Sequence, residues 1–234
     1  MKTIRRLYFY AVALVSLEVV LWGLISLLRS MVSSNFVGGT EPLAQALALI
    51  VVGVPIFGFH WRWAQRASTS DEEEQTAMLR ALFLYFVLLI TLIPVIQNIL
   101  AVINRAFISG AGFDAYRSAF GGSQTLADNI IAVVLNSIIA AYFFSVEKAD
   151  WRTITDKDNH ADARRLYRYV WVLYSLIMIV FGTQQILRFI LYIPTDVIGE
   201  INRAVFINRM VFFRGVDRLR AGILINAVYY HALV

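Results

Sequence analysis

Two stretches of this chain read alike: RRLYFYAVALVSLEVVLWGLISLLR from Arg5 to Arg29, and RRLYRYVWVLYSLIMIVFGTQQILR from Arg164 to Arg188. In register they share Arg5/Arg164, Arg6/Arg165, Leu7/Leu166, Tyr8/Tyr167, Tyr10/Tyr169, Leu14/Leu173, Ser16/Ser175, Leu17/Leu176, Gly23/Gly182, Leu28/Leu187 and Arg29/Arg188. A weaker copy starts at Arg80 and keeps Leu82, Tyr85, Leu89, Thr91 and Leu92. Shared apolar composition makes leucine matches cheap, but it does not explain matching Arg, Tyr, Ser and Gly. The apolar runs that follow each copy are less alike. Phe59-His60 and Tyr230-His231 end two of them, and Phe143-Phe144 stands in the equivalent place of the third. The unit is a basic–aromatic start, a long helix, a polar loop and a second helix, repeated three times.

The apolar runs are Leu7–Leu28, Leu43–Phe59, Ala81–Ile103, Leu126–Val146, Leu166–Leu187 and an incomplete one from Ala221 to Val234. A hydrocarbon core about 30 Å thick needs about 20 apolar residues at 1.5 Å rise each. Four runs meet that length, and Leu43–Phe59 meets it once its aromatic flank is added. A soluble core would not hold five such helices in succession. The fold class is therefore all-α integral membrane, with three tandem two-helix units. Residues 1–70 form repeat 1, with helices over about 5–29 and 43–63. Residues 71–152 form repeat 2 (about 72–104 and 126–147), and 160–234 repeat 3, with a helix over about 162–191 and another from about 219. Val234 falls before that last helix could cross a bilayer, so the reading expects the chain to continue or its ordered part to end there.

The composition agrees: 59% of the 234 residues are hydrophobic and 16% charged, against about 45–50% and about 25% in soluble domains. Zero cysteines remove disulfides, thiolate metal sites and cysteine nucleophiles together. A pI near 9.6 would suit nucleic acid, but the basic residues cluster at the ends of apolar runs, as membrane segments require. The first segment has the basic start of a signal peptide (Lys2, Arg5, Arg6), yet Leu7–Leu28 is longer than an h-region of about 7–15 residues. It reads as a retained helix.

The RRLYxY openings at Arg5 and Arg164, HWRWAQR from His60, and the acidic approach from Asp71 to Arg80 resemble a known sequence pattern. It is that of an uncharacterised bacterial family, a domain of unknown function found in one or several copies in multi-pass membrane proteins of Chloroflexi-like and actinobacterial genomes. The resemblance spans most of the chain and implies a polytopic membrane protein. It implies no catalytic residue, because the family has no established activity. The middle repeat lacks the His-Trp-Arg-Trp run.

Twelve of the 21 basic residues, including every lysine, fall in the N-terminal tail and the second and fourth connections: Lys2, Arg5, Arg6, Arg62, Arg66, Arg80, Lys148, Arg152, Lys157, Arg164, Arg165 and Arg168. The positive-inside rule places that side, and the N-terminus, in the cytoplasm; the bacterial family resemblance implies that the membrane is a bacterial inner membrane. Trp22, Trp61, Trp63 and Trp151 read as interfacial anchors. Ser70-Asp71-Glu72-Glu73 reads as a capping box and Asp71–Glu74 as a solvated helix start. Asp162 is the predicted cap of the next helix, and His160 is expected in solvent. Gly23, Gly53, Gly58 and Gly182 would permit close helix approach, and Pro55 and Pro94 would kink their helices. The connection from Tyr192 to Arg218 breaks the repeat. An amphipathic segment over about 195–214 would lie in the outer interface, or meet another subunit, with Arg203, Arg209, Arg214, Arg218 and Arg220 facing acidic partners or lipid head groups.

Glu18 lies near the middle of the first helix, where a carboxylate costs about 2.5–3.5 kcal/mol. Its repeat equivalents are Ile93 and Ile177, so the fold does not require an acid there. Either it is protonated and hydrogen-bonded to a neighbouring helix, or it belongs to an ion or proton path. Gln97, Asn98, Asn136, Gln184, Gln185 and Asn226 are the other intramembrane polar candidates. His60 and His231, at the ends of corresponding helices, could ligate haem iron or bacteriochlorophyll magnesium; the alternative is an interfacial role. No phosphate-cradling glycine loop, nucleophile elbow, HExxH or other metal motif occurs. Three functions remain open: a non-catalytic scaffold, accessory subunit or membrane anchor; a channel or transporter; and a haem- or pigment-binding subunit. The expected partners are the bilayer, other membrane subunits or a second copy, and not nucleic acid.

Overall fold

Leu, Val and Ile carried on Ala- and Ser-spaced turns form α1, Lys2–Val32, in which Ser16 and Ser30 return their hydroxyls to carbonyls of the preceding turn. The remaining elements are α2 (Glu41–Ser70), α3 (Glu72–Gln75), α4 (Met78–Gly110), α5 (Leu126–Thr153) and α6 (Asp158–Leu191). This computed structural model describes residues 2–32, 41–110 and 124–191, and among them there is no strand. Five helices, all but α3, are long and apolar enough to cross a membrane. The described residues are those of an all-helical membrane protein.

The helices outrun the apolar runs. α2 continues through Arg62 and Arg66 to Ser70, where the hydroxyls of Ser68, Thr69 and Ser70 bond back to carbonyls of residues 65–67 and close its end. The expected single helix over about 72–104 is divided. Asp71, not Ser70, is the N-cap, its carboxylate accepting from Glu73 N at 3.0 Å, and α3 stops at Gln75 before α4 begins at Met78. α6 starts at Asp158, earlier than expected, with Asp156 accepting from Asp158 N at 3.1 Å. Asp162 is therefore no cap, and instead pairs with Arg165 on the helix surface. Pro55 and Pro94 lie inside helices that continue through them. At the start of α5, Thr125 and Asp128 form a reciprocal capping box.

The chain divides into a unit of residues 1–169 and a second of residues 170–234, of which only the end of α6 is described. The predicted interfacial segment and final helix, with Asn226, His231, Arg203, Arg209, Arg214, Arg218 and Arg220, lie outside the described residues. In the first unit α1 packs chiefly on α2 and α4 on α5, while α1 also touches α4 and α5. The α1–α2 contact depends on two glycines. A Cβ on Gly53 would stand 2.7 Å from Val20 Cγ2, and one on Gly23 would stand 3.0 Å from Ile50 Cγ1. Among the described residues, a Cβ on Gly58 or Gly182 meets nothing within 4 Å.

Four helices meet in an aromatic core. Tyr10 of α1 lies 5.0 Å from Phe83 of α4 between ring centroids, and Trp61 of α2 lies 5.5 Å from Phe83 and 5.0 Å from Phe143 of α5. Trp61 is thus a buried core residue rather than an interfacial anchor, and its indole N–H donates to the Tyr142 hydroxyl at 2.7 Å. Trp22 and Trp63 are exposed, as anchors should be.

Candidate functional site

α5 shows how the site is positioned. Its buried residues are Asn129, Ala132, Asn136, Ala140, Phe143, Glu147 and Asp150. They recur every three or four residues, the spacing of one helix face. The face is apolar in the middle and acidic at the end, so packing α5 on α4 drives Glu147 and Asp150 into the interior. The start of α4 answers with Arg80 and Tyr85.

Arg80 is 1% exposed. Its Nε donates to Asp150 Oδ2 at 2.7 Å, and its Nη2 donates to Asp150 Oδ1 at 3.3 Å and Gln65 Oε1 at 2.7 Å. This is the forked geometry in which guanidinium and carboxylate match best. Five residues further along, the Tyr85 hydroxyl donates to Glu147 Oε1 at 2.5 Å. Gln75 donates to Thr153 Oγ1 at 2.7 Å, and Asn159 Nδ2 to the Thr76 carbonyl at 3.0 Å. His160 is fully buried beside this cluster, with neither ring nitrogen bonded among the described residues. It is not the solvated loop histidine expected.

A second cluster lies on the same side of the first unit. Arg6 Nε donates to Glu74 Oε2 at 2.7 Å and Arg6 Nη2 to Glu73 Oε1 at 3.1 Å, while Arg5 Nη2 donates to Glu74 Oε1 at 3.2 Å. Glu74 is buried, so the acidic run is not simply a solvated helix start. Beside it opens a groove of about 470 Å³, lined by Arg5, Phe59, Arg62, Trp63, Arg66 and Glu74 among others.

The intramembrane candidates behave differently. Glu18 is half-buried, and its Oε2 accepts from Trp22 Nε1 at 3.1 Å on its own helix rather than from a neighbouring one. Its Oε1 is buried with no hydrogen-bond partner among the described residues. Asn98 Nδ2 donates to the Pro94 carbonyl and Asn136 Nδ2 to the Ala132 carbonyl, each at 2.8 Å and each within its own helix. Gln97 is part-buried on α4. Gln184 and Gln185 belong to the second unit, on α6. His60 Nδ1 lies 2.8 Å from the Ile56 carbonyl, with Tyr8, Phe9 and Phe59 packed round the ring. The described residues contain no grouping of three or more His, Asp or Glu able to hold a metal ion.

The sequence pattern marks Arg80 and Tyr85 only as repeat positions and does not mark Gln65, Glu147 or Asp150 as site residues. The signal was present in α5. Extending the spacing of Ala132, Asn136, Ala140 and Phe143 leads directly to Glu147 and Asp150.

A family model described as a domain of unknown function, DUF5671, matches residues 6–138, more than half of the chain. The chain belongs to the DUF5671 family. The DUF5671 match takes in α1 to α4 and the first part of α5 and stops short of Glu147, Asp150 and His160. No curated protein and no solved structure matches the chain.

Proposed function

We propose that the chain is a non-catalytic membrane module, acting as a scaffold, accessory subunit or membrane anchor within a larger assembly. The observation that carries this reading is how its charged side chains are used. Arg5, Arg6, Arg80, Glu73, Glu74 and Asp150 pair with one another between helix ends, so the groups able to do chemistry instead hold the bundle together. Purification from the native membrane under mild detergent tests it. Another membrane subunit at fixed stoichiometry is the expected result; a solitary protein with its own activity would overturn it.

The same pairs support the repeat. Arg5 and Arg80 are equivalent positions of successive units, and they pair with acids 69 and 70 residues further along. Arg5 thus meets an acid just beyond the second helix of its unit, and Arg80 an acid in the last turns of its own. The distribution of lysine and arginine supports a cytoplasmic N-terminus, and the family resemblance supports a bacterial inner membrane. The cysteine-free sequence permits a clean test by single-cysteine labelling. A cysteine at Ser70 should be shielded from an impermeant maleimide in intact cells, and one at Gly38 should react; the reverse pattern inverts the topology.

Glu18 favours a second reading, an ion or small-solute path, because Oε1 is buried without a partner among the described residues. Flux through reconstituted vesicles that is unchanged in Glu18→Gln would end it. A haem or pigment role for His60 rests on Nδ1 facing a carbonyl, the contact that commonly orients a ligating imidazole. An absorption spectrum of the natively purified protein without a Soret or near-infrared band would exclude it.

A further inference from the structure

The groove beside Glu74 contains two cations with no partner among the described residues. Arg62 and Arg66 stand one turn apart on α2, both exposed, and neither makes an ion pair or hydrogen bond with any described residue. Arg5, in the same wall, is bound to Glu74. The two acids of the groove are already committed: Glu74 accepts from Arg5 and Arg6, and Asp71 caps α3. What remains is an excess of positive charge facing outward.

The aromatic side chains give the depth. Phe59 and Trp63 lie on the same side of α2 as Arg62 and Arg66, and Trp63 packs 4.6 Å from Phe9 and 5.8 Å from Phe59 between ring centroids. Phe59 ends the apolar run of α2 and Arg62 is the first charge after it. An exposed tryptophan between lipid-facing residues and arginines marks the head-group level. There the commonest anion is a phospholipid phosphate.

We infer that the Arg62–Arg66 groove binds the phosphate head group of an anionic phospholipid from the leaflet on the N-terminal side, with Phe59 and Trp63 flanking the glycerol and upper acyl chains. The inference rests on the membrane reading of the five long helices, and goes beyond it by assigning a lipid class and a site. Charge complementarity selects the occupant: two free guanidiniums each offer paired N–H donors to phosphate oxygens.

The test uses the full chain in nanodiscs of zwitterionic lipid doped with phosphatidylglycerol, with retained anionic lipid counted by native mass spectrometry. Wild type should hold phosphatidylglycerol preferentially. At about 5-fold per arginine near a membrane surface, the Arg62→Gln/Arg66→Gln variant should bind it about 30-fold more weakly. Arg152→Gln removes an exposed arginine outside the groove and should bind like wild type. Trp63→Ala should weaken binding less than the arginine pair. Equal loss in Arg152→Gln would mean general surface charge and overturn the site. Displacement of the lipid by millimolar inorganic phosphate would identify a soluble anion as the ligand and overturn the lipid assignment. Unchanged melting of the variants confirms that folding is intact, as expected for side chains without partners. Failure of wild type to enter nanodiscs at all would instead reject the membrane reading.

Discussion

The Arg5/Arg6–Glu74 cluster and the Arg80–Asp150 cluster repeat one contact in two environments. Both join an arginine at the start of a unit to an acid about 70 residues later. The side chains of Arg80 and Asp150 are 1% and 9% exposed, whereas that of Arg5 is 58% exposed. The attraction is similar in kind, but water decides what it contributes. An exposed pair contributes about 0–1 kcal/mol. A buried pair adds little beyond a well-packed apolar substitute, yet breaking it costs about 3–5 kcal/mol because one charge is left without a partner. The Arg5 contact can be lost cheaply; the Arg80–Asp150 pair is an obligation.

Unfolding measurements in detergent can break that comparison. Arg80→Met should cost about 3–5 kcal/mol, and adding Asp150→Leu should recover most of it; a double variant as unstable as the single would show that the pair itself is stabilising. Glu74→Gln should cost about 1–3 kcal/mol, since it removes the buried carboxylate at 2.7 Å from Arg6 Nε and leaves Arg6 only the exposed Glu73 as a charged acceptor. Arg5→Gln should cost about 0–1 kcal/mol. That small effect should vanish on raising salt from about 0.1 M to about 1 M, where the screening length falls from about 10 Å to about 3 Å. Salt should leave the Arg80→Met deficit in place. Glu18→Gln should change stability least, by under about 0.5 kcal/mol. An amide oxygen can still accept from Trp22, on a half-exposed part of one helix. A larger loss would mean that Glu18 holds a second helix.

How legible each feature was follows from the same contrast. The helices were plain in the sequence because crossing a bilayer requires an apolar length, and length survives in one dimension. Gly53 could be named as a close-approach residue, but Gly58 could not be separated from it. Only the position of Val20 on another helix distinguishes them. Glu18 drew notice because it interrupts an apolar run, although its bond stays within its own turn. The pairing of Arg80 with Asp150 drew none, because charges at helix ends are ordinary and the partnership spans 70 residues. A composition-based reading locates unusual residues. It does not locate ordinary residues in unusual company.

The Arg80–Asp150 bond also has a history in time. Synthesis at about 5–20 residues per second separates the two partners by roughly 4–14 s. For that interval α4 has left the ribosome with an arginine whose acceptor does not yet exist. Arg80, at the third residue of α4, can wait among head groups and water until the end of α5 arrives. The same guanidinium a few turns deeper would have to wait in hydrocarbon. The placement of the bond at a helix end thus lets the unit be inserted in order and locked last.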